Sequence, residues 1–123
     1  MDSILTSIKK LLGIEEDYTH FDADIIMHIN SVFFILRQAG VGPSKAFNIK
    51  DKEAVWTDFI SENFEEFEAL KTYVYMKVKL MFDPPLSSSV MEAMKEFIRE
   101  FEWRLNVEGD VPESEGEEEI QNG

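Results

Sequence analysis

Apolar residues recur every three or four positions through most of this chain, which is the period of an amphipathic α-helix. Glycine and proline interrupt the pattern, so it predicts helices over 3–12, 19–39 and 63–82, a short one within 51–60, and a long last one over 89–106. Residues 47–49 alternate and suggest a short extended piece. The fold class we expect is all-α: a small bundle of four to five helices forming one domain, residues 1–106.

The first predicted helix has a single apolar face and ends at Gly13, a residue suited to a helix C-terminus. Its face comprises Ile4, Leu5, Ile8, Leu11 and Leu12. The second helix has an unusually wide stripe, because Ile26, Phe34 and Ile35 broaden the row from Phe21 to Leu36. A helix of this kind is buried on more than one side or meets a neighbouring subunit.

A rigid corner separates the last two long helices. Asp83 precedes Pro84 and Pro85, and a residue before proline is driven out of the α region, so the preceding helix must stop near Phe82. Capping-box patterns predict the neighbouring helix starts, with Ser89 and Glu92 after the corner and Asn63 and Glu66 before the fourth helix. Such a corner suits a scaffold that presents helices to partners.

Charge is the unusual property of the composition. The 25 acidic residues outnumber the 12 basic ones, for a net charge of −13. Residues 107–123 contain seven of these acids and no Lys or Arg, and we expect them to form a disordered acidic tail. The remaining 18 acids and 12 bases leave a net charge of −6 on the body. A negative body disfavours ordinary nucleic-acid binding and docking on anionic membranes, and it leaves protein partners.

The chain has no cysteine, which excludes a disulfide scaffold and thiolate metal sites and fits a reducing cytoplasm. Its N-terminus lacks the basic start and long apolar run of a signal peptide. No stretch approaches the roughly 18 apolar residues of a spanning helix, so we expect no membrane partner.

Candidate chemistry is weak. His20, Asp24 and His28 could supply zinc ligands, but on an ideal helix His28 lies about 80° around from His20. The acids between Glu62 and Glu68 spread around a helix start, with nothing to shift their pKa values. We therefore predict a protein with no catalytic residues, metal or cofactor. Trp56 is expected in the core, whereas Trp103 either packs on a side face or anchors an interface.

Four stretches make the chain resemble the tailed-phage, or prophage, head–tail connector family, the small adaptor proteins that dock beneath the portal. They span most of residues 4–105 and run 8–14 (IKKLLGI), 21–30 (FDADIIMHIN), 40–43 (GVGP) and 73–85 (YVYMKVKLMFDPP). The order and spacing of the four stretches carry the resemblance.

The resemblance implies a structural protein of the virion head–tail interface, present in the bacterial host cytoplasm before assembly. It implies self-association into a ring that binds the portal protein on one face and a stopper or tail-completion protein on the other. The ring would extend the DNA channel, and DNA would pass without sequence-specific binding. The portal-contacting part of the family falls on the last helix, with candidates Phe97, Phe101, Trp103, Arg104, Leu105 and Val107.

Two other interpretations stay open. The first is an acidic DNA mimic, or another helical protein-interaction module, in which carboxylates imitate phosphates. About half of the excess negative charge lies in the tail and the body interleaves Lys and Arg, which weakens this alternative. The second is a small hydrolase or metalloenzyme, which needs a convergent site that the sequence does not display.

Overall fold

The computed structural model of the chain describes residues 3–110, with the side chains of residues 3–105. Its elements are α1 (Ile4–Leu12), α2 (Asp22–Gln38), α3 (Trp56–Phe59), α4 (Phe67–Phe82) and α5 (Ser88–Asp110). Across these residues the only β-type pairing is an isolated bridge between Ser3 and Val55. The predicted all-α bundle with a long C-terminal helix is confirmed. Helix α5 continues past the predicted end at Asn106, and the predicted tail from residue 111 onward lies outside the described residues.

Helix α1 has the predicted ends but a rotated face. The Ser3 hydroxyl accepts a hydrogen bond from the Thr6 N–H at 3.1 Å, and Gly13 closes the helix in the left-handed conformation. Leu11, predicted on the apolar face, is 54% exposed, whereas Lys9 is only 2% exposed. The buried face is therefore turned toward Lys9, which makes specific polar contacts there.

Helices α2 and α4 begin later than predicted. The Tyr18 carbonyl accepts a hydrogen bond from Lys9 Nζ, so the chain around Thr19 is not free to join the helix, and α2 begins at Asp22. Before α4, the Asn63 N–H is bound to the Ser61 hydroxyl in a separate turn. The predicted capping box of Asn63 and Glu66 is wrong, because α4 begins only at Phe67.

The proline corner takes the predicted form, but the cap of α5 does not. Helix α4 ends at Phe82, and the backbone of Asp83 lies outside the α region, with φ −155° and ψ 71°. The Ser87 hydroxyl accepts a hydrogen bond from the Val90 N–H at 3.3 Å, which makes Ser87 the N-cap in place of the predicted Ser89. Only Leu86 separates Pro85 from Ser87, so the helix starts as soon as the prolines permit.

Each of the three long helices, α2, α4 and α5, runs antiparallel to the one before it in the chain. The rings of Phe21, before α2, and Phe82, at the end of α4, lie 5.3 Å apart between centroids. Helix α5 returns along α4, where the Tyr73 hydroxyl donates to Glu102 Oε2 at 2.7 Å. Helix α1 packs across α2 and α4. The core is therefore lined by one face of each of these four helices.

An aromatic cluster closes the core beneath the long connection from α2 to α4. Phe33 stacks on Phe59 at 4.3 Å between ring centroids, and Trp56 donates from Nε1 to the Ser7 hydroxyl at 2.9 Å. The prediction that Trp56 is a core residue is confirmed. Gly42 has φ 94°, and a Cβ there would lie 2.6 Å from the Phe59 ring, so the turn needs a glycine for both conformation and space.

The segment predicted to be extended, 47–49, forms no strand and is held by a side chain. Asn30 Oδ1 accepts from the Ile49 N–H at 2.8 Å, and Asn30 Nδ2 donates to the Ile49 carbonyl at 3.1 Å. One amide side chain thus satisfies both backbone groups of Ile49, as a neighbouring strand would. This contact ties the long connection to α2.

Candidate interaction surfaces

The predicted portal-contacting residues of α5 divide into two groups. Phe101 and Leu105 are buried in the core, and the Phe101 ring lies 5.0 Å from that of Tyr73 between centroids. Phe97 is partly buried against the same core. The Val107 side chain lies outside the described residues. Trp103 and Arg104 are exposed, so within the described part of α5 only these two of the six candidates lie on the surface.

Trp103 is the most exposed large aromatic side chain of the described residues, at 65%. This exposure leaves most of the indole available to a partner, and the interface interpretation of Trp103 stays a prediction. Arg104 is held in place, because Nη1 lies 3.3 Å from Glu66 Oε1 and Nη2 lies 3.7 Å from Glu100 Oε2. Exposed ion pairs of this kind contribute little stability, but they hold the guanidinium near Glu66 and Glu100.

A second apolar surface runs along the outside of α2. We call it the α2 strip: Ala23, Met27 and Phe34 point away from the core, with Ile26 and Ile35 along the edges. Met27 is 57% exposed and Phe34 is 56% exposed. The other residues lining this shallow groove are Asn30 and Ser31, so its lining carries no charged side chain. The sequence-based expectation that α2 is apolar beyond its core face holds at this strip.

A third apolar surface lies at the turn between α4 and α5. We call it the hairpin end: Met81 on the last turn of α4, Leu86 after the prolines, and Val90 on the first turn of α5. All three side chains are exposed, and Leu86 is fully so. The Phe82 ring packs against Phe21, and Lys79 Nζ binds Asp83 Oδ2 at 3.1 Å. The two prolines restrict the backbone of the corner, and these contacts join it to α2 and α4.

The buried ammonium group of Lys9 was not among the residues that the sequence pattern singled out. Its Nζ donates to the Glu16 carbonyl at 2.9 Å and to the Tyr18 carbonyl at 2.8 Å, and it lies 2.8 Å from Asp22 Oδ1. The lysine therefore fastens the connection between α1 and α2. Lys9 stands four residues after Leu5, at the border of the apolar face, and this position was the one available signal.

A second polar contact joins the fully buried Tyr73 to Glu102, whose side chain is 39% exposed. Burial first, and then the hydrogen bond to the Glu102 carboxylate and its negative charge, raise the pKa of Tyr73 well above its ordinary value. Lys77 Nζ lies 3.7 Å from the same carboxylate. Because Tyr73 stays neutral and donates its only O–H proton to Glu102, this pair serves to join α4 to α5.

The weak candidates for chemistry do not converge. The His20 and His28 rings pack against different aromatic side chains, Phe21 at 4.7 Å and Phe82 at 6.4 Å between centroids. In the acidic cluster, Glu66 pairs with Arg104, whereas Glu62 and Glu65 are exposed. Among the residues that the structure describes, no three His, Asp or Glu side chains are grouped so that they could hold a metal ion.

No helix within residues 3–110 combines the length and apolar character needed to cross a membrane. Separately, the described surface carries the apolar α2 strip and hairpin end and the exposed Trp103, and such patches suit contacts with other proteins.

Comparison with known proteins identifies a family. Neither the curated proteins nor the solved structures contain a match to this chain. The sequence model of the family described as "Phage connector protein" matches residues 4–112, which is most of the chain and includes every helix of the bundle. The chain therefore belongs to the phage connector protein family, a family of structural, non-catalytic virion proteins.

Proposed function

We propose that this protein is a head–tail connector subunit that assembles as a ring on the portal protein. The ring extends the DNA channel and receives a stopper or tail-completion protein on its other face. Family membership supports contact with other phage head or tail components. The single observation that carries the ring is the α2 strip, an exposed apolar face without charged lining residues on a chain of net charge −13.

The portal contact is assigned to Trp103 and Arg104. Both side chains are exposed on α5, whereas Phe101 and Leu105 of the same helix are buried. Tryptophan and arginine are among the residue types most enriched at positions that dominate binding energy. Phe101 and Leu105 are buried, and their packing positions this part of α5 for the contact.

The acidic character supports DNA passage. Exposed carboxylates on a channel wall repel phosphates, so DNA moves past without being held. On α5, Glu96 is paired with Arg99 and Glu100 with Arg104. The interleaved arginines interrupt the continuous row of acids that a DNA mimic needs, while the body keeps its net negative charge, which favours the connector over the DNA-mimic alternative.

The first test mixes the purified protein with its portal and examines the particles by negative-stain electron microscopy. A collar of density at one end of the portal is expected. Removing the end of α5 is a poor variant, because Met94, Ile98, Phe101 and Leu105 are all buried and the fold would be lost. Trp103→Ala removes only an exposed side chain, and we expect it to abolish the collar.

The matched control is Lys95→Ala, an exposed residue near the start of the same helix, which should leave the collar intact. Circular dichroism should show both variants folded. A collar that forms equally well with Trp103→Ala would refute the portal contact assigned to α5. Absence of any collar with the unmodified protein at every salt and protein concentration would refute the connector function itself.

A further inference from the structure

We propose that, in the ring, the hairpin end of one copy packs into the α2 strip of the next copy. This inference rests on the proposed ring and names its subunit contact. The two surfaces are different parts of the same chain, so a contact between them is head-to-tail. Head-to-tail contacts are the kind that close into rings, whereas a surface that pairs with itself stops at a dimer.

At the hairpin end, the apolar faces of α4 and α5 extend beyond the buried core. Met81 follows the buried Val74 and Val78 at helical spacing, and Val90 precedes the buried Met94 by one turn. Both apolar stripes thus continue beyond the point where the described residues cover them. Leu86 stands between them with its side chain fully exposed. A partner that covered this end would extend the core, which is a favourable burial of apolar area.

The α2 strip has the matching apolar chemistry. Met27, Phe34, Ile26 and Ile35 all line its shallow groove, and the first two are more than half exposed. Methionine adapts readily to the shape of an incoming apolar side chain. Because Leu86 is fully exposed, it does not occupy the strip of its own copy. The strip therefore remains available to the hairpin end of another copy.

The distribution of charge favours a second copy of this chain as the partner that binds the α2 strip. A chain of net charge −13 repels its own copies wherever acidic surfaces meet. The lining of the α2 strip carries no charge, and at the hairpin end Lys79 neutralises Asp83 at a distance of 3.1 Å. These two surfaces are consequently places where two acidic copies can approach closely. A basic partner would instead prefer exposed acids such as Glu62 and Glu65.

The absence of cysteine from the chain allows a direct test by disulfide crosslinking. The single variants Phe34→Cys and Leu86→Cys are mixed in equal amounts, assembled with the portal and oxidised. We expect the main product to be the disulfide between positions 34 and 86 of two copies. It should be in about tenfold excess over the product of a control mixture of Phe34→Cys with Glu68→Cys. Glu68 is a suitable control because its side chain is 82% exposed and lies on another part of the surface.

Each outcome decides the contact. A disulfide between two Phe34→Cys copies as the main product would mean that two α2 strips pair with each other, and it would overturn the proposal. A collar on the portal without the disulfide between positions 34 and 86 would also overturn it while leaving the connector function in place. Absence of both collar and product would overturn the contact and the proposed function together.

A charge substitution gives an independent readout. Leu86→Asp should prevent collar formation, because it places a carboxylate in the apolar groove of the next copy. Leu11→Asp is the matched control, since Leu11 is also an exposed leucine but lies on α1. The control should retain the collar, and both variants should keep the helical content of the parent. Loss of the collar in both variants, or in neither, would contradict the proposed contact.

Discussion

At the residue scale, Lys9 shows how a polar group can be essential to an apolar core. The side chain is 2% exposed, and its ammonium group contacts two backbone carbonyls and the Asp22 carboxylate. A buried charge is tolerated only when it is paired and hydrogen-bonded, and all three partners lie within 3 Å of Nζ here. These contacts decide where α2 begins and therefore how the helix enters the bundle.

Replacing Lys9 should destabilise the protein strongly. Lys9→Met keeps the apolar stem but leaves two carbonyls and a carboxylate without their partner, so we expect a loss of about 2–4 kcal/mol in the free energy of unfolding. Urea denaturation followed by circular dichroism measures this loss. The neighbouring Lys10 is exposed, and Lys10→Met should change stability by less than about 0.5 kcal/mol. Equal effects of the two substitutions would contradict the role given to Lys9.

At the element scale, capping and corner residues determine where the helices start and stop. The proline corner ends α4 as its sequence requires, yet the start of α5 depends on which of three serines is oriented toward the free N–H groups. The Ser87 hydroxyl accepts from the Val90 N–H, while the Ser89 hydroxyl lies 3.1 Å from that of Ser87. Ser87 is therefore the residue that stabilises the first turn of α5.

Two alanine substitutions distinguish the serines. Ser87→Ala should lower the free energy of unfolding by about 1 kcal/mol, because the first turn of α5 loses its cap. Ser89→Ala should have almost no effect, since its hydroxyl accepts no backbone hydrogen bond of this helix start in the described structure. Thermal and urea denaturation of both variants provide the measurement. A larger effect at Ser89 would restore the capping box that the sequence predicts there.

The contact between α4 and α5 should make stability sensitive to alkaline pH. The pKa of Tyr73 is higher in the folded protein than in the unfolded chain, so the stabilisation is complete below the unfolded pKa near 10. Above it, the unfolded chain releases the proton and the folded protein does not, so stability falls as pH rises. The slope expected from this residue is about 1.4 kcal/mol per pH unit.

Tyr73→Phe is the control for this pH dependence, because it removes the ionising group and keeps the ring. The difference in unfolding free energy between parent and variant should be constant below about pH 9 and should shrink above about pH 10. Urea denaturation at a series of pH values measures it, and tyrosinate absorbance reports the ionisation directly. A difference that stays constant to about pH 11 would show that Tyr73 ionises normally in the folded protein.

At the scale of the whole molecule, two apolar surfaces and a large negative charge have opposite effects on association between copies. The α2 strip and the hairpin end favour association, and the net charge of −13 opposes it. The balance depends on ionic strength, because salt screens repulsion between copies over about 10 Å at 0.1 M and leaves apolar contacts intact.

Self-association should therefore increase with salt. Raising sodium chloride from about 20 mM to about 300 mM should shift the sedimentation profile toward larger species at a given protein concentration. The variant Phe34→Glu should remove this response, because it places a charge on the α2 strip, and Leu11→Glu serves as its exposed control. Association that weakens as salt rises would mean that ion pairs, and not the apolar surfaces, hold the copies together.

The fold class and the main helix stops could be predicted from the amino-acid sequence, because both depend on local physics. Helical periodicity predicts one short and three long apolar stripes, since a 3.6-residue repeat is a property of the chain and needs no partner. Gly13 and Asp83–Pro84–Pro85 stop helices for steric reasons that act locally. The wide stripe of the second helix also predicted an apolar surface beyond the core, and the exposed Phe34 and Met27 lie on it. The four quoted stretches led to the phage connector family, which is confirmed.

Features that depend on residues distant in the chain required the tertiary structure. Lys9 is buried because the carbonyls of residues 16 and 18 come to meet it, and no local pattern indicates that contact. Phe101 and Leu105 lie in the core while Trp103 is exposed, because the packing of α5 against α4 selects which face of the helix is covered. Periodicity defines a stripe, but only the neighbouring elements determine which part of it is buried and which part remains for a partner.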